Sequence, residues 1–288
     1  MKVSIIIPTF NCSKLLSNTL NSIRLCGWDN IEVIIRDGGS VDDTVSQVDD
    51  FLDLPIRVFS ERDGGQYDAI NKGFDTATGE ILCWINGGDV FLPGAVGNVV
   101  DAFLAVPEMM WITGCQCAAE DVKIRRLGDS CVLVSDFEIK VGLCNGGFAG
   151  HLQQEGMFWR RELWDMAGPL DLSYRLAADF ELWTRFSRLA ELYRLRIPLA
   201  AFSYHDTNRS IAGKDAYRDE VGIAIARLPS KMRKLHRVFL FLPFFWRVCR
   251  RVPVIRGLFS AFFHFVRVFP IKVVRFERRG SKFAPICE

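Results

Sequence analysis

Short, mostly apolar runs alternate along the first hundred residues with longer segments in which apolar positions recur every three or four residues. Residues 3–7, 31–35 and 81–85 are such runs, interrupted only at Ser4 and Glu32 and closed by Pro, Arg-Asp or Asn-Gly-Gly. Runs of this kind belong to strands buried on both faces of a parallel sheet. A shorter run over 56–60 predicts one more strand. Between these runs, 11–25 places Leu16, Leu20 and Ile23 on one helical face, with Ser13 as candidate cap and Gly27 as terminator. Residues 67–77 repeat the helical spacing, and Ser40 with Asp43 has the spacing of a capping box for another helix. Strand-helix alternation with short Gly-rich links predicts βαβ units and a mostly parallel, twisted sheet flanked by helices.

Further along, the pattern predicts a helix over 93–103 with Pro93 at its first position, strands over 111–115 and 122–127, and a turn at Asn145-Gly146-Gly147. Helices are expected over 158–167 and 176–189, and a strand over 195–202. In the second helix Phe180, Trp183, Phe186 and Leu189 share the core face. Asp179 and Glu181 then emerge about 200° apart and do not form a close pair of carboxylates.

The links between elements carry the chemistry. Pro8-Thr9-Phe10-Asn11 follows the first strand where a dinucleotide-binding Gly-x-Gly-x-x-Gly would stand, and no P-loop pattern occurs anywhere. What the strand ends do carry is acid: Asp37 after the second, Glu61 and Asp63 after the third, Asp89 after the fourth. Parallel strands open into the ligand crevice at their carboxyl ends, so these acids converge on one edge as a nucleotide and metal site. At Asn86-Gly87-Gly88-Asp89 the two glycines admit close backbone approach to an anionic ligand, and Asp89 offers a hard oxygen to Mg²⁺ or Mn²⁺. The plain alternative is an Asp turn capping the helix near Pro93. The histidines at 151, 205, 236 and 264 show no metal-ligand spacing. His205, after the last strand-like run, is a candidate to close the donor site or bind the metal, a surface histidine being the alternative.

Four segments together resemble the family 2 glycosyltransferases of the GT-A fold. They are Val-Ser-Ile-Ile-Ile-Pro-Thr-Phe-Asn (3–11), Arg-Asp-Gly-Gly-Ser-Val-Asp-Asp-Thr (36–44), Tyr-Asp-Ala-Ile-Asn-Lys-Gly (67–73) and Trp-Ile-Asn-Gly-Gly-Asp (84–89). The resemblance continues through Gln153-Gln154-Glu155, 159–164 and 178–183, and fades near residue 210. It implies a GT-A-like, Rossmann-type α/β fold, with 1–115 as the nucleotide-sugar-binding half and 116–228 as the acceptor-binding and catalytic half of one domain. It implies that Pro8, Thr9 and Asp37 contact the nucleotide, that Asp68, Asn71 and Gly88 lie near the diphosphate-sugar, that Asp89 binds the metal and that Asp179 is the catalytic base. The chain departs from the family's acidic motif, which commonly reads Asp-x-Asp or ends in Asp-Asp: Asn86 and Gly88 precede a single Asp89. Weak metal affinity in the free protein is the expected consequence. The reaction implied is inverting transfer from a UDP- or dTDP-type nucleotide-sugar to a glycan acceptor in cell-surface polysaccharide synthesis. The alternative is a catalytically weak binding or scaffold protein on the same fold.

Composition changes the picture only at the end of the chain. Residues 229–288 hold 14 Lys and Arg against 2 Asp and Glu, a net +12, whereas 1–228 hold 22 against 32. Pro243, Pro253 and Pro270 cut this basic, Phe-rich stretch into pieces too short to span a bilayer, so 229–288 is expected to be a basic-hydrophobic helical tail lying on an anionic membrane surface. Bulky Phe runs suit lipid better than nucleic acid, which is not expected as a partner, and a lipid-linked acceptor follows from this placement. The plain alternative is that these helices pack on the acidic body or form a dimer interface, so an oligomer is possible. Nine cysteines without a Cys-x-x-Cys pair imply reduced core thiols. With no secretory signal pattern, the expected location is cytoplasmic, peripheral at the inner face of the cell membrane.

Overall fold

The computed structural model describes residues 1–120, 123–126, 134–145, 150–204, 213–249, 273–279 and 282–287. The chain opens with β1 (Val3–Thr9), α1 (Ser13–Arg24), β2 (Ile31–Asp37), a 3₁₀ turn (Ser46–Phe51), β3 (Ile56–Ser60), α2 (Gln66–Thr76) and β4 (Ile81–Trp84). It continues through β5 (Val90–Phe91), α3 (Ala95–Ala105), β6 (Trp111–Cys115), β7 (Cys117–Glu120), β8 (Lys123–Arg126), α4 (Asp136–Lys140), β9 (Phe158–Arg160) and α5 (Arg161–Ala167). The last elements are α6 (Ala178–Leu189), β10 (Leu192–Pro198), β11 (Ala200–Ser203), α7 (Lys214–Arg227), α8 (Ser230–Cys249), β12 (Val273–Arg279) and β13 (Lys282–Cys287).

Among the described residues the strands form a sheet ordered β13-β12-β10-β6-β9-β4-β1-β2-β3 and a smaller one ordered β5-β11-β7-β8. Strands β3, β2, β1 and β4 are parallel neighbours, as are β6, β10 and β12. β9 runs antiparallel between β4 and β6. Side-chain alternation divides the core between the two faces of the sheet. Val3, Ile5 and Ile7 of β1 pack with Leu16, Leu20 and Ile23 of α1 and with α3, while Ile6 points to the other face with Ile70 and Phe74 of α2 and with α6. α2 lies so close to β1 that a Cβ at Gly73 would sit 2.4 Å from Ile6 Cγ2. The result is the expected α/β sandwich with a mostly parallel sheet at its centre.

Several local expectations are corrected. The helix over 158–167 begins only at Arg161, because Phe158 and Trp159 enter opposite cores as residues of β9. Ser13 is the first helical residue and caps nothing: Cys12 is the N-cap, and the Ser13 amide donates instead to Asp42 Oδ2 at 3.2 Å. No α-helix follows Ser40; Asp42 closes a turn on Thr44, and a 3₁₀ turn follows. Pro93 precedes α3, whose N-cap is Gly94 at φ +75°. The run over 195–202 divides into β10 and β11, which enter different sheets. Cys12, Cys26, Cys83, Cys117 and Cys144 are free thiols, but Cys115 is disulfide-bonded, which corrects the expectation of thiols throughout.

The tail is not wholly helical. α8 runs through Pro243 to Cys249, and Val273–Arg279 and Lys282–Cys287 pair antiparallel and join the edge of the large sheet beside β10. The amino-terminal half of α8 docks on α4: Phe239 packs at 5.0 Å on Phe137, and His236 Nδ1 lies 2.7 Å from the Val141 carbonyl. Phe259, Phe262, Phe263, Phe265 and Phe269 lie outside the described residues, as does the turn at Gly146-Gly147. Among the described residues no helix is long and apolar enough to cross a membrane.

The end of the sheet opposite the strands' carboxyl edge is stapled by Glu32 of β2. Its carboxylate accepts from Ser4 Oγ at 2.6 Å, Thr78 N at 2.5 Å and Lys2 Nζ at 3.0 Å, tying together β1, β2 and the lead into β4. Burial raises its pKa, but the hydrogen bonds outweigh burial and bring it down to about 2. A folded pKa below the unfolded value gives stability that is present above about pH 4.5 and is lost as pH falls toward 2. Glu32→Gln is expected to cost about 1.5–3 kcal/mol at pH 7, the range for hydrogen bonds to charged groups. Urea unfolding of both proteins should show that difference shrinking between pH 4.5 and pH 2.5; a deficit constant with pH would contradict the assignment.

Candidate active site

A cleft of about 1600 Å³ opens at the carboxyl edge of β1, β2 and β4. Pro8, Thr9, Gly38 and Gly39 form one wall, Asn86, Gly87 and Asp89 the floor, and Glu155 and Asp179 approach from the other side. This is the place where a parallel sheet presents backbone amides and loop side chains to a ligand.

The floor is held by hydroxyls from two other elements. Thr19 of α1 donates to the Asp89 carbonyl and accepts from the Gly88 amide, both at 2.8 Å. Ser203 of β11 donates its amide to Asp89 Oδ1 at 2.9 Å and its hydroxyl to the Gly88 carbonyl at 2.6 Å. Gly88 itself sits at φ +113°, a conformation that a side chain at this position would strain. Asn86 donates to Asp89 Oδ2 at 3.2 Å and accepts from Gln66 Nε2 at 2.5 Å, so a line of amides connects α2 to the acid. Asp89 is only 2% exposed, and burial raises its pKa well above the ordinary carboxylate range despite these donors.

Three of the expected donor contacts are placed elsewhere. Asp37 lies beneath the wall rather than on it: its carboxylate accepts from Thr9 Oγ1, Ser60 Oγ and the amides of Gly39 and Ser40, which makes it the organiser of the loop that presents Gly38 and Gly39. Asp68 accepts from the Gly64 amide at 2.8 Å and pairs with Lys72 at 3.1 Å. Asn71 is committed to the backbone of Leu170, donating to its carbonyl and accepting from its amide, each at 2.9 Å. None of the three lines the cleft, whereas Pro8, Thr9, Asp89 and Asp179 do. Gly88 lies just beneath the floor. His205 is outside the described residues.

Asp179 stands in the first turn of α6 with part of its surface open to the cleft. Its helix is docked by aromatic packing: Trp183, one turn on, stacks on Trp84 at the end of β4 with ring centroids 5.7 Å apart and planes 13° apart. Ahead of the helix, Glu220 of α7 accepts the amides of Arg175, Leu176 and Ala177 at 2.8–2.9 Å and fixes the approach. Burial raises the Asp179 pKa, and nearby His151 pulls it back only in part. Glu181 points away and pairs with Arg185 at 2.8 Å, as the helical spacing predicts. The arrangement places a raised-pKa carboxylate on one side of the cleft and an acid with two free lone-pair directions on its floor.

Residues 4–128 match the model of the family described as Glycosyl transferase family 2. The chain carries a family 2 glycosyltransferase domain. It is 28% identical over 264 residues to a PGL/p-HBAD biosynthesis glycosyltransferase of Mycobacterium tuberculosis, covering 89% of this chain and 96% of that one. An uncharacterized glycosyltransferase of Nostoc sp. is 26% identical over 229 residues, 76% of this chain and 70% of its own. The fold is that of S. aureus TarS 1-349 in complex with UDP-GlcNAc, with a TM-score of 0.62 at 16% identity over 79% of this chain and 67% of that one. Against the longer TarS chain the match spans 40% of its length. The mannosyltransferase PcManGT from Pyrobaculum calidifontis, in complex with GDP-Man and Mn²⁺, aligns with a TM-score of 0.61 at 18% identity, over 83% of this chain and 69% of that one. The fold is GT-A, and the enzyme is a glycosyltransferase.

In this glycosyltransferase the acid that the sequence did not single out is Glu155. It is 3% exposed, lines the cleft, and its Oε1 has no hydrogen-bond partner among the described residues. Burial and then the neighbouring Asp89 push its pKa well above the carboxylate range. The signal was present in Gln153-Gln154-Glu155, but reading 158–167 as one helix hid its meaning. Because β9 is antiparallel to β4, with Trp159 opposite Leu82, the residues that lead into it lie at the carboxyl edge of β4, beside Asn86. Gln154 marks the path, donating to the Trp84 carbonyl and lying 3.3 Å from the Asn86 amide. An oxygen-only donor set with one orphaned carboxylate oxygen suits a hard divalent cation. Among the described residues no three His, Cys, Asp or Glu side chains gather as a metal-ligand group, so any cation here depends on ligand oxygens and water for the rest of its shell.

Proposed function

We propose that the enzyme transfers a sugar, with inversion, from a nucleotide-sugar seated in the cleft to a glycan acceptor approaching from the side of Asp179. The observation that carries this reading is the position of Asp89 and Asp179 on one cleft, at the end of β4 and the start of α6. Two solved structures of the same fold hold UDP-GlcNAc in one case and GDP-Man with Mn²⁺ in the other, which supports a donor of that class and a divalent metal. Pro8 and Thr9 with the backbone of Gly38 and Gly39, which lines the same wall, would receive the nucleoside, Asp37 shaping that loop from below. Asp89 would hold Mg²⁺ or Mn²⁺, which neutralises the diphosphate as it departs. Asp179, ionised, takes the proton from the acceptor hydroxyl as that oxygen attacks the sugar carbon from the face opposite the diphosphate. Only Asp179 is read as working at that carbon, so a single displacement without a covalent intermediate follows.

The cellular setting is part of the same proposal. α8 turns Met232, Leu235, His236 and Phe239 inward and leaves Lys231, Lys234, Arg237 and Val238 exposed, a basic outer face on the most basic part of the chain. Cations near an anionic leaflet gain roughly 1 kcal/mol each. This face supports a peripheral position at a membrane and a lipid-linked acceptor in cell-surface polysaccharide synthesis.

Asp179→Asn is expected to lower transfer by roughly 10²–10⁴-fold, the range for a general base, while nucleotide-sugar binding by calorimetry stays within a factor of about two. Loss of binding in parallel with turnover would assign Asp179 a structural role. For the membrane, the full-length chain should cosediment with anionic vesicles at low salt, and charge reversal at Lys231, Lys234 and Arg237 should reduce that. Vesicle pellets free of protein at low salt would remove both the peripheral placement and the support for a lipid-linked acceptor.

A further inference from the structure

A buried carboxylate without a partner is costly, and one placed beside a second carboxylate is costlier still. Glu155 is in that position: it is 3% exposed, it lines the cleft, its Oε1 meets no donor among the described residues, and the carboxyl groups acting on it are those of Asp89 and Asp179. Packing does not explain an acid there, since Gln would fill the same volume and bring two donors to the acids around it. A cation does. We propose that Glu155 is the second protein carboxylate of the divalent-cation site, facing Asp89 across the cleft floor and standing in for the acid missing from Asn86-Gly87-Gly88-Asp89.

The topology supplies the logic. In Asn86-Gly87-Gly88-Asp89 the chain delivers one acid from the end of a parallel strand. The antiparallel β9 brings its lead-in to the same edge from the opposite direction and delivers the other. Among the described residues Asp89 Oδ1 and Oδ2 each accept one hydrogen bond, from Ser203 and Asn86, which leaves each a lone pair for a cation, and Glu155 Oε1 accepts none. Asp89 and Glu155 would hold the cation, with diphosphate and water left to supply the rest of the oxygen shell that Mg²⁺ or Mn²⁺ requires. This inference rests on the nucleotide-sugar reading of the cleft.

The test measures metal, not turnover. Mn²⁺ binding to the full chain is titrated by electron paramagnetic resonance in the presence of UDP, and of GDP in parallel, for the wild type, Glu155→Gln, Glu155→Asp and Asp89→Asn. Expected is a loss of about tenfold or more in Mn²⁺ affinity for Glu155→Gln, by analogy with the cost of disturbing metal-site residues. Glu155→Asp should recover part of it, and metal-free nucleotide binding should be unchanged. The rise in unfolding temperature that Mn²⁺ adds to that of UDP or GDP alone should be smaller for Glu155→Gln than for the wild type. If Glu155→Gln binds Mn²⁺ as the wild type does while Asp89→Asn does not, Glu155 is no ligand and the inference is overturned, with the Asp89 site intact. A wild type that takes no Mn²⁺ with either nucleotide overturns the metal site and this inference together; the Asp179 experiment then decides the transfer reaction separately.

Discussion

Trp84 sets the distance on which everything else in this enzyme depends. It is the last residue of β4, two positions before the loop that carries Asp89, and it stacks on Trp183 of the helix that carries Asp179. Around it Trp159 lies at 5.5 Å and Phe74 at 6.2 Å, so α2, β9 and α6 converge on one buried aromatic group. Aromatic contacts of this kind add about 0.5–1.5 kcal/mol each beyond area burial. Their greater effect is geometric: large rigid rings with few rotamers fix a helix to a strand end within a fraction of an ångström. A transfer reaction needs its base and its charge-stabilising acid held apart at a set span, since misplacement by about 1 Å costs on the order of 10²-fold.

The acids of this fold divide by which end of the sheet they occupy. Glu32, at the far end, is surrounded by donors and has its pKa depressed. At the cleft Asp89 and Glu155 are buried and Asp179 is half-buried, and burial raises the pKa values of all three. The first arrangement stabilises the folded chain and the second strains it. Carboxylates kept in an unfavourable environment are the expected signature of groups whose partners arrive with a ligand. Asp37 belongs to the stabilising kind although it lies at the cleft end, because Thr9, Ser60 and the amides of Gly39 and Ser40 all donate to it.

Much of this was legible in the sequence. Mostly apolar runs gave β1, β2 and β4, because runs this short, bounded by Pro or Gly-rich links, fit strands buried on both faces better than helices. The carboxyl-edge placement of Asp89 followed at once, as did the outward direction of Glu181. What could not be read were interactions across long chain separations. Asn71 meets Leu170, 99 residues away, and nothing local distinguishes that clamp from a ligand contact. β9 is three residues long and abuts α5, so helical spacing absorbed it, and with it the meaning of Glu155. In the tail, Val273–Arg279 and Lys282–Cys287 join the sheet edge although their basic and apolar composition read as amphipathic helix. Val273, Val274 and Phe276 carry the β-branched and aromatic preference of a strand, which the basic composition of the tail masked.

The claim at the centre of this account is that the cleft holds a nucleotide-sugar in reactive form. Slow hydrolysis of the donor without an acceptor tests it most directly, because it needs only the cleft, the cation and water. A panel of UDP-, dTDP- and GDP-sugars is incubated with the full chain and Mn²⁺, and phosphorus NMR follows nucleoside diphosphate release. The account predicts that one class of donor is cleaved by the wild type, far more slowly by Asp89→Ala, and hardly at all with EDTA present. A folded protein that neither binds nor cleaves any donor of the panel would contradict it.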